Sequence, residues 1–294
     1  MASMQEKESF MTNTRTTQRE LVAAYFESTV PRWDEFYIDN GELSVYDTIY
    51  RSRLAVALAL ADGLRLAPGS RCLDVGCDPG IATVALAQRG FKVDAIDFVE
   101  GQLERTRRRA AEANVESRVV ASIGDIHDLD IPDGTFDLVL VIGVMEWLEH
   151  PSKALREISR VLKPRGRAII SVDNKWSLRN ILDPLSTPPL APLKRRLVKI
   201  LDWSGLRRKS GSSPRDYSYS IRRFDRLTAS ARLEKTQGVT VGFGPFTCLG
   251  LELPRPLGLA LNRWLQRLAD GKFPLLRSGG FVYLTVVEKG GANA

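Results

Sequence analysis

Between residues 70 and 174, five short apolar runs are separated by helical or turn-rich stretches, and few folds accommodate that pattern. The runs are "SRCLDVG", "KVDAID", "RVVASIGD", "FDLVLVIGV" and "RAIISVD". Their apolar residues fall on successive positions, so each strand must be covered on both faces. The intervening "IATVALAQRG", "EGQLERTRRRAAEA" and "PSKALREISRVL" carry the helical period, the first closing at Gly90 and the last before Pro164. Strands alternating with helices predict a parallel, doubly wound α/β sheet with helices on both sides.

The rest of the chain decorates this core, which spans residues 65–174. Residues 1–14 show no pattern and are expected to be disordered. Residues 15–64 read as a helical cap, with Thr17 and Glu20 forming a capping box ahead of "LVAAYF" and a second helix running through "LAVALALADGL". After Asn174 the alternation stops. Residues 175–220 are rich in Pro, Arg and Ser and read as an inserted lid. The alternation resumes over 221–289 with helix "RRFDRLTASARLE" and strands "GVTVGFG" and "FVYLTVVEK", interrupted by a second irregular insertion at 245–278.

Charge singles out the lid. From Lys194 to Arg232 there are twelve Lys/Arg and three Asp, while the whole chain carries only +7, so the remainder is slightly acidic. In "PLKRRLVKILDW", Leu193, Leu197, Ile200 and Leu201 share a helical face flanked by Lys194, Arg195, Arg196 and Lys199. "LGLALNRWLQRLADGK" repeats the design with Leu257, Leu261, Trp264, Leu265 and Leu268. Two readings fit: a lid whose apolar faces cover an active site, or basic amphipathic helices at an anionic membrane surface or on a lipid-linked substrate. The N-terminus "MASMQEKESF" has no apolar signal core, and no apolar run approaches the roughly 18 residues of a membrane span. The three cysteines lack metal-ligand spacing, and Cys72 and Cys77 fall in or beside a buried strand. The expectation is a cytoplasmic protein with peripheral membrane contact and no metal.

"LDVGCDPG", Leu73 to Gly80, joins the first strand to its helix. Glycines there let the backbone turn tightly and approach a ligand, and the helix N-terminus offers free N–H groups. Asp97 ends the next strand, 21 residues after Gly76, where a carboxylate can accept from ribose hydroxyls. Strand, glycine loop, helix, strand and acid in that order predict a nucleotide-containing cofactor.

These residues, with "GDIHDLDIPDGTFDLVLVIGVMEWLEHPSKALREISRVLKPRGRAIIS", resemble the class I S-adenosylmethionine-dependent methyltransferases over residues 65–175 and, more faintly, 221–289. The resemblance implies a seven-stranded, mostly parallel sheet of order 3-2-1-4-5-7-6 with S-adenosylmethionine as cofactor. It implies that Asp74, Gly76, Asp78 and Gly80 lie against the methionine part. Asp97 binds the ribose and Phe98 packs beside the adenine. Asp125 accepts from the adenine amine with Ile126 alongside, and Ile142 lines the methionine side. Asp125 and Asp97 also read as strand-end turn residues or helix caps. The family's loop has glycine where this chain has Asp78. That aspartate is either a tolerated turn residue, a carboxylate facing the cofactor's ammonium, or a charge that repels the cofactor's carboxylate and weakens the loop.

Methyl transfer from a sulfonium needs alignment and exclusion of water more than acid or base chemistry. An oxygen nucleophile still benefits from a base, and the chain has only His127 and His150. His150 is the candidate base, and equally a solvated residue at a helix start; His127 reads as loop. "Glu146-x-x-Glu149-His150" resembles the metal-using motif of ubiquinone-pathway O-methyltransferases, but in register Trp147 takes the place of that histidine. Substrate-side candidates are Trp147, an aromatic facing the cavity or packed in the core, and Asn174 and Trp176 after the fifth strand. "YFESTVPRWDEFY" resembles the closing segment of magnesium-protoporphyrin methyltransferases, which adds Tyr25 and Trp33 and implies that Arg51 or Arg53 reaches the cofactor carboxylate. The expected function is O-methylation of a small or lipid-linked hydrophobic acceptor. RNA methylation and an inactive cofactor-binding scaffold are the alternatives; a base-amino methyltransferase motif and an RNA-binding module are absent from the sequence.

Overall fold

The computed structural model describes residues 17–37, 44–183, 187, 189, 214–248, 251–271, 273 and 276–291, without the side chains of 29–37, 248 and 251. Helices α1 (Gln18–Tyr37) and α2 (Val45–Gly63) come first. Then follow β1 (Arg71–Val75), α3 (Ile81–Gln88), β2 (Lys92–Asp97), α4 (Glu100–Glu112), β3 (Val119–Ile123), β4 (Phe136–Val141), α5 (Pro151–Val161) and β5 (Leu162–Asp173). After the short α6 (Leu178–Leu182) come α7 (Ile221–Ser230), β6 (Leu233–Val241), the two-residue strands β7 (Thr247–Cys248) and β8 (Leu251–Glu252), α8 (Arg255–Asp270) and β9 (Val282–Lys289).

Seven strands form one sheet in the order β3-β2-β1-β4-β5-β9-β6, while β7 and β8 pair separately. Counted within the large sheet alone, this is the expected 3-2-1-4-5-7-6. The first five strands are parallel, and β9 runs antiparallel between β5 and β6.

Each central strand feeds two cores, as its unbroken apolar run requires. Leu73, Val75, Val139, Val141 and Ile170 face one side, where Leu155 and Ile158 of α5 and Phe224 of α7 cover them. Cys72, Leu138, Leu140 and Ile169 face the other, against α2, α3 and Ala110 of α4. Burial pushes the Cys72 thiol up to about 12, so it is inert. Ile49, Ala57 and Ala61 of α2 belong to this second core, so the second helix of the predicted cap is a layer of the fold itself. The Thr17–Glu20 box is present: the Glu20 amide donates to Thr17 Oγ1 (3.2 Å) and the Thr17 amide to Glu20 Oε2 (2.7 Å).

One element differs from the sequence expectation. The helix expected through Glu234 stops at Ser230, because Arg232 takes a φ of 59° and Leu233 turns into the core to start β6. Within the insertion at 245–278, the amphipathic helix expected over "LGLALNRWLQRLADGK" is present as the 16-residue α8. It packs Leu265 and Ala269 on Phe243 and Phe246, and its Asn262 and Gln266 side chains accept from the amides of Phe243 and Gly242. Leu193, Lys194, Arg195, Arg196, Leu197, Lys199, Ile200 and Leu201 lie outside the described residues.

Candidate cofactor site

The cleft lies over the carboxyl ends of β1, β2 and β4, where a doubly wound sheet opens a crevice. It has two chambers. The larger, about 240 Å³, is bounded by Gly76 and Asp78 of the glycine loop, Asp97 and Phe98 after β2, Asp125 to His127 after β3, and Val144 and Trp147 after β4. The smaller, about 30 Å³, is bounded by Arg53, Asp74, Gly76 to Pro79 and Ile142. Gly76 and Asp78 border both.

The loop is shaped by close approach. Gly76 and Gly80 have φ of 66° and 80°, and a Cβ on Gly80 would lie 2.7 Å from Thr106 Oγ1 of α4. A Cβ on Gly76 would run into the Val144 side chain. Asp78 occupies a third left-handed position, φ 47°, where aspartate is among the better non-glycine residues.

The buried Asp74 accepts from Thr83 Oγ1 at 2.6 Å, tying β1 to α3, and its desolvation raises its pKa to about 6. Asp97 accepts from the Val99 amide (2.9 Å) and the Asp78 amide (3.2 Å), so it braces the loop while bordering the larger chamber. Burial raises it to about 6 as well, against those hydrogen bonds. Asp125 Oδ1 accepts from the His127 amide (2.9 Å) and meets its Nδ1 at 3.0 Å, and Oδ2 pairs with Arg19 of α1 at 3.0 Å. Burial would push this carboxyl up, but the His127 hydrogen bonds and the Arg19 charge together hold it below the usual carboxylate range. Ile126 is buried and borders the same chamber, while Ile142 borders the smaller one.

Trp147 forms an aromatic wall with Phe26 (ring centroids 5.4 Å apart) and Tyr25 (5.8 Å), backed by Val22, Phe98 and Val99. Tyr25 therefore supports Trp147 from behind and does not border a chamber. The Trp33 side chain lies outside the described residues. His150 precedes Pro151 at the N-terminus of α5, makes no side-chain cap, and stands at the mouth of the larger chamber, its ring 6.4 Å from that of His127. Asn174 and Trp176 do not reach the cleft. Strand β5 ends at Asp173, and the Asn174 amide group donates to the carbonyls of Ser278 and Gly280 (2.8 and 2.9 Å), while Trp176 is exposed.

Among the lining residues that the sequence did not single out, Gln18, Arg19, Val22 and Phe26 all stand on α1. Their signal was available, because Val22 and Phe26 stand four apart on one helical face. Arg53 was named as an alternative to Arg51, and it is the one that borders the smaller chamber. It is buried, lies 3.6 Å from the buried Glu146, and stacks over Tyr50 at 4.8 Å. Asp173 belongs to this cluster, and burial followed by the nearby Glu146 pushes its carboxyl well up. Among the described residues, no three His, Cys, Asp or Glu are grouped to hold a metal.

The donor set fits a cofactor with a flat base, a ribose, a cationic sulfur and a zwitterionic tail. Phe98 and Ile126 flank an apolar slot, Asp97 offers a carboxylate, and acids with one arginine surround the smaller chamber. Residues 73–170 match the family described as "Methyltransferase domain". An uncharacterized 37.1 kDa protein in transposon Tn4556 of Streptomyces fradiae is 30% identical over 84% of this chain and 70% of its own length. The demethylmenaquinone methyltransferase of Renibacterium salmoninarum is 32% identical over 51% of this chain; the chain spans 57% of that relative. The crystal structure of magnesium protoporphyrin IX methyltransferase from Synechocystis shares the fold, with a TM-score of 0.59 at 18% identity over 92% of this chain and 99% of that one. The chain belongs to the class I S-adenosylmethionine-dependent methyltransferase superfamily, and S-adenosylmethionine is its cofactor.

Proposed function

We propose that this protein transfers the methyl group of S-adenosylmethionine to an oxygen of a small or lipid-linked hydrophobic acceptor. The observation that carries this reading is the two-chambered cleft, in which a base-and-ribose chamber meets an acid- and arginine-lined chamber at Asp78. The bound cofactor supplies a methyl group on a positively charged sulfur, which is already an excellent leaving group. The protein's own part is to hold and align. Asp97 takes the ribose, Gly76 to Gly80 cradle the chain beyond it, and Arg53 answers the carboxylate. The α1 residues Val22 and Phe26 cover the larger chamber and exclude water.

The aromatic wall of Trp147 and Phe26, supported by Tyr25, suits a flat, apolar acceptor. The similarity to a demethylmenaquinone methyltransferase supports the same class. His150, at the chamber mouth, is the proton acceptor to test: His150→Ala should lower kcat at unchanged donor affinity. No described helix is long and apolar enough to cross a membrane. Peripheral contact is supported by α8, where Leu257 and Trp264 are 59% and 56% exposed beside the exposed Arg263 and Arg267. Neutralising Lys194, Arg195, Arg196 and Lys199 together should raise the acceptor KM, less so at high salt.

The test is S-adenosylhomocysteine formation against a panel of prenylated and unprenylated quinols, catechols and other phenols. Turnover confined to hydrophobic phenols or quinols is the expected result. Turnover only on RNA, or donor binding with no turnover on any acceptor, would overturn the reading.

A further inference from the structure

Asp78 is strained where its family pattern is not. Its φ of 47° lies in a region that costs an L-residue about 1 kcal/mol and glycine nothing. Its backbone is fully employed: the amide donates to Asp97, and the carbonyl accepts from Thr106 Oγ1 at 3.0 Å. Its carboxylate makes no hydrogen bond or ion pair among the described residues. The side chain borders both chambers. A ligand that fills both must pass Asp78 at its middle, and the middle of S-adenosylmethionine, between adenosine and the amino-acid tail, is the sulfonium.

We propose that Asp78 selects for charge at the cofactor's sulfur, favouring the sulfonium donor over the neutral thioether product. This rests on the cofactor assignment above. Asp78 is only partly exposed, so its carboxylate acts on a nearby cation with less screening than one on the open surface. Once the methyl group has left, the positive charge goes with the reaction, and the contact that held the donor no longer holds the product. The loop residue thereby opposes product inhibition.

The groups facing Asp78 support this. Burial, and then the Asp97 carboxylate, push its carboxyl well above the usual range, and Asp74 and Glu146 add to the acidic surroundings. Arg53 of α2 opposes the rise, and Arg109 of α4 is occupied by the Pro79 carbonyl at 2.9 Å. A carboxyl raised in this way is drawn toward its charged form by a cation placed beside it. Donor binding should therefore release a proton that product binding does not.

The experiment is calorimetry on the full chain, wild type, Asp78→Asn and Asp78→Gly. The ligands are S-adenosylmethionine, S-adenosylhomocysteine and sinefungin, which carries an amine in place of the methylated sulfur. Asparagine tolerates positive φ and removes only the charge; glycine removes strain and charge together. Both variants should lose about tenfold or more in affinity for the donor and for sinefungin, and less than about threefold for the thioether. In wild type, donor binding should show buffer-dependent heats from proton release, and thioether binding should not. Equal losses for all three ligands would mean that Asp78 reads the amino-acid tail they share. Unchanged or equally improved binding would make it a turn residue. Either result overturns the proposal, and failure of all three ligands to bind the wild type overturns the cofactor assignment with it.

Discussion

The two chambers of the cleft are built on opposite plans. In the larger, Asp125 and Asp97 are satisfied by the fold, Asp125 by His127 and Arg19 and Asp97 by two backbone amides. At the smaller, acids crowd one arginine: Asp78, which borders both chambers, feels the charge of Arg53 but makes no side-chain hydrogen bond among the described residues, and Glu146, the pair partner of Arg53, keeps one oxygen without a hydrogen bond. A chamber whose polar groups are already paired recognises shape and hydrogen bonds. A chamber with surplus buried negative charge responds to the charge of what enters it.

The largest effect should come from breaking the Arg53–Glu146 pair. Glu146→Ala leaves the buried guanidinium facing one fewer acid, which should cost about 3 kcal/mol of stability and lower the melting midpoint by several degrees. An unshifted midpoint would show that the pair is not what balances that chamber. The next effect is pH dependence. Asp74 and Asp97 are raised from 3.8 to about 6 in the folded chain. A raised carboxyl favours the fold fully below its unfolded pKa and loses that contribution as pH rises through the folded pKa. The ligand-free protein should thus shed on the order of 2 kcal/mol per group between about pH 4 and 6. Melting curves with and without donor across that window should show the donor's stabilisation growing with pH; a flat increment would contradict the charge surplus.

Asp97→Ala should weaken the donor and its thioether product alike, by at least about tenfold, because ribose and loop are common to both. Discrimination between them at Asp97 would erase the contrast with Asp78. The smallest effect belongs to Arg19→Ala. Its side chain is 67% exposed, so its pair with Asp125 is screened and donor affinity should move less than about threefold. A larger gain would show that Arg19 and the ligand compete for Asp125.

Much of this was readable in the sequence because its cause is local. The unbroken apolar runs dictate strands covered on both faces, and the positions of Gly76, Gly80 and Asp97 along the chain mark the glycine loop and the acid that braces it. The fate of Asn174 was not readable: its commitment to Ser278 and Gly280 joins residues more than a hundred positions apart. The same holds for Arg53 and Glu146, which come from a helix and a turn that only the folded sheet brings together. Helix α1 was placed correctly at its start by its capping box, yet which of its faces covers the cleft depended on the Trp147 wall.

The bridge at the end of β5 has a consequence for how such a protein changes over time. The Tyr219 amide donates to Asp173 O (2.8 Å) and the Lys175 amide to Tyr219 O (2.9 Å), so the segment between them leaves and rejoins the sheet at a single rung. A loop closed at its base can grow, shrink or be exchanged without shifting any strand's register, and each doubling of its length adds only about 0.6 kcal/mol of closure entropy. The described ends of that stretch are tied to the fold, the Leu178 amide donating to Gly279 O (2.8 Å) and the Tyr217 amide to Glu146 O (2.6 Å), so such change is confined to positions between 184 and 213. The sheet and its glycine loop can stay fixed through many generations while this one stretch is rewritten beside them.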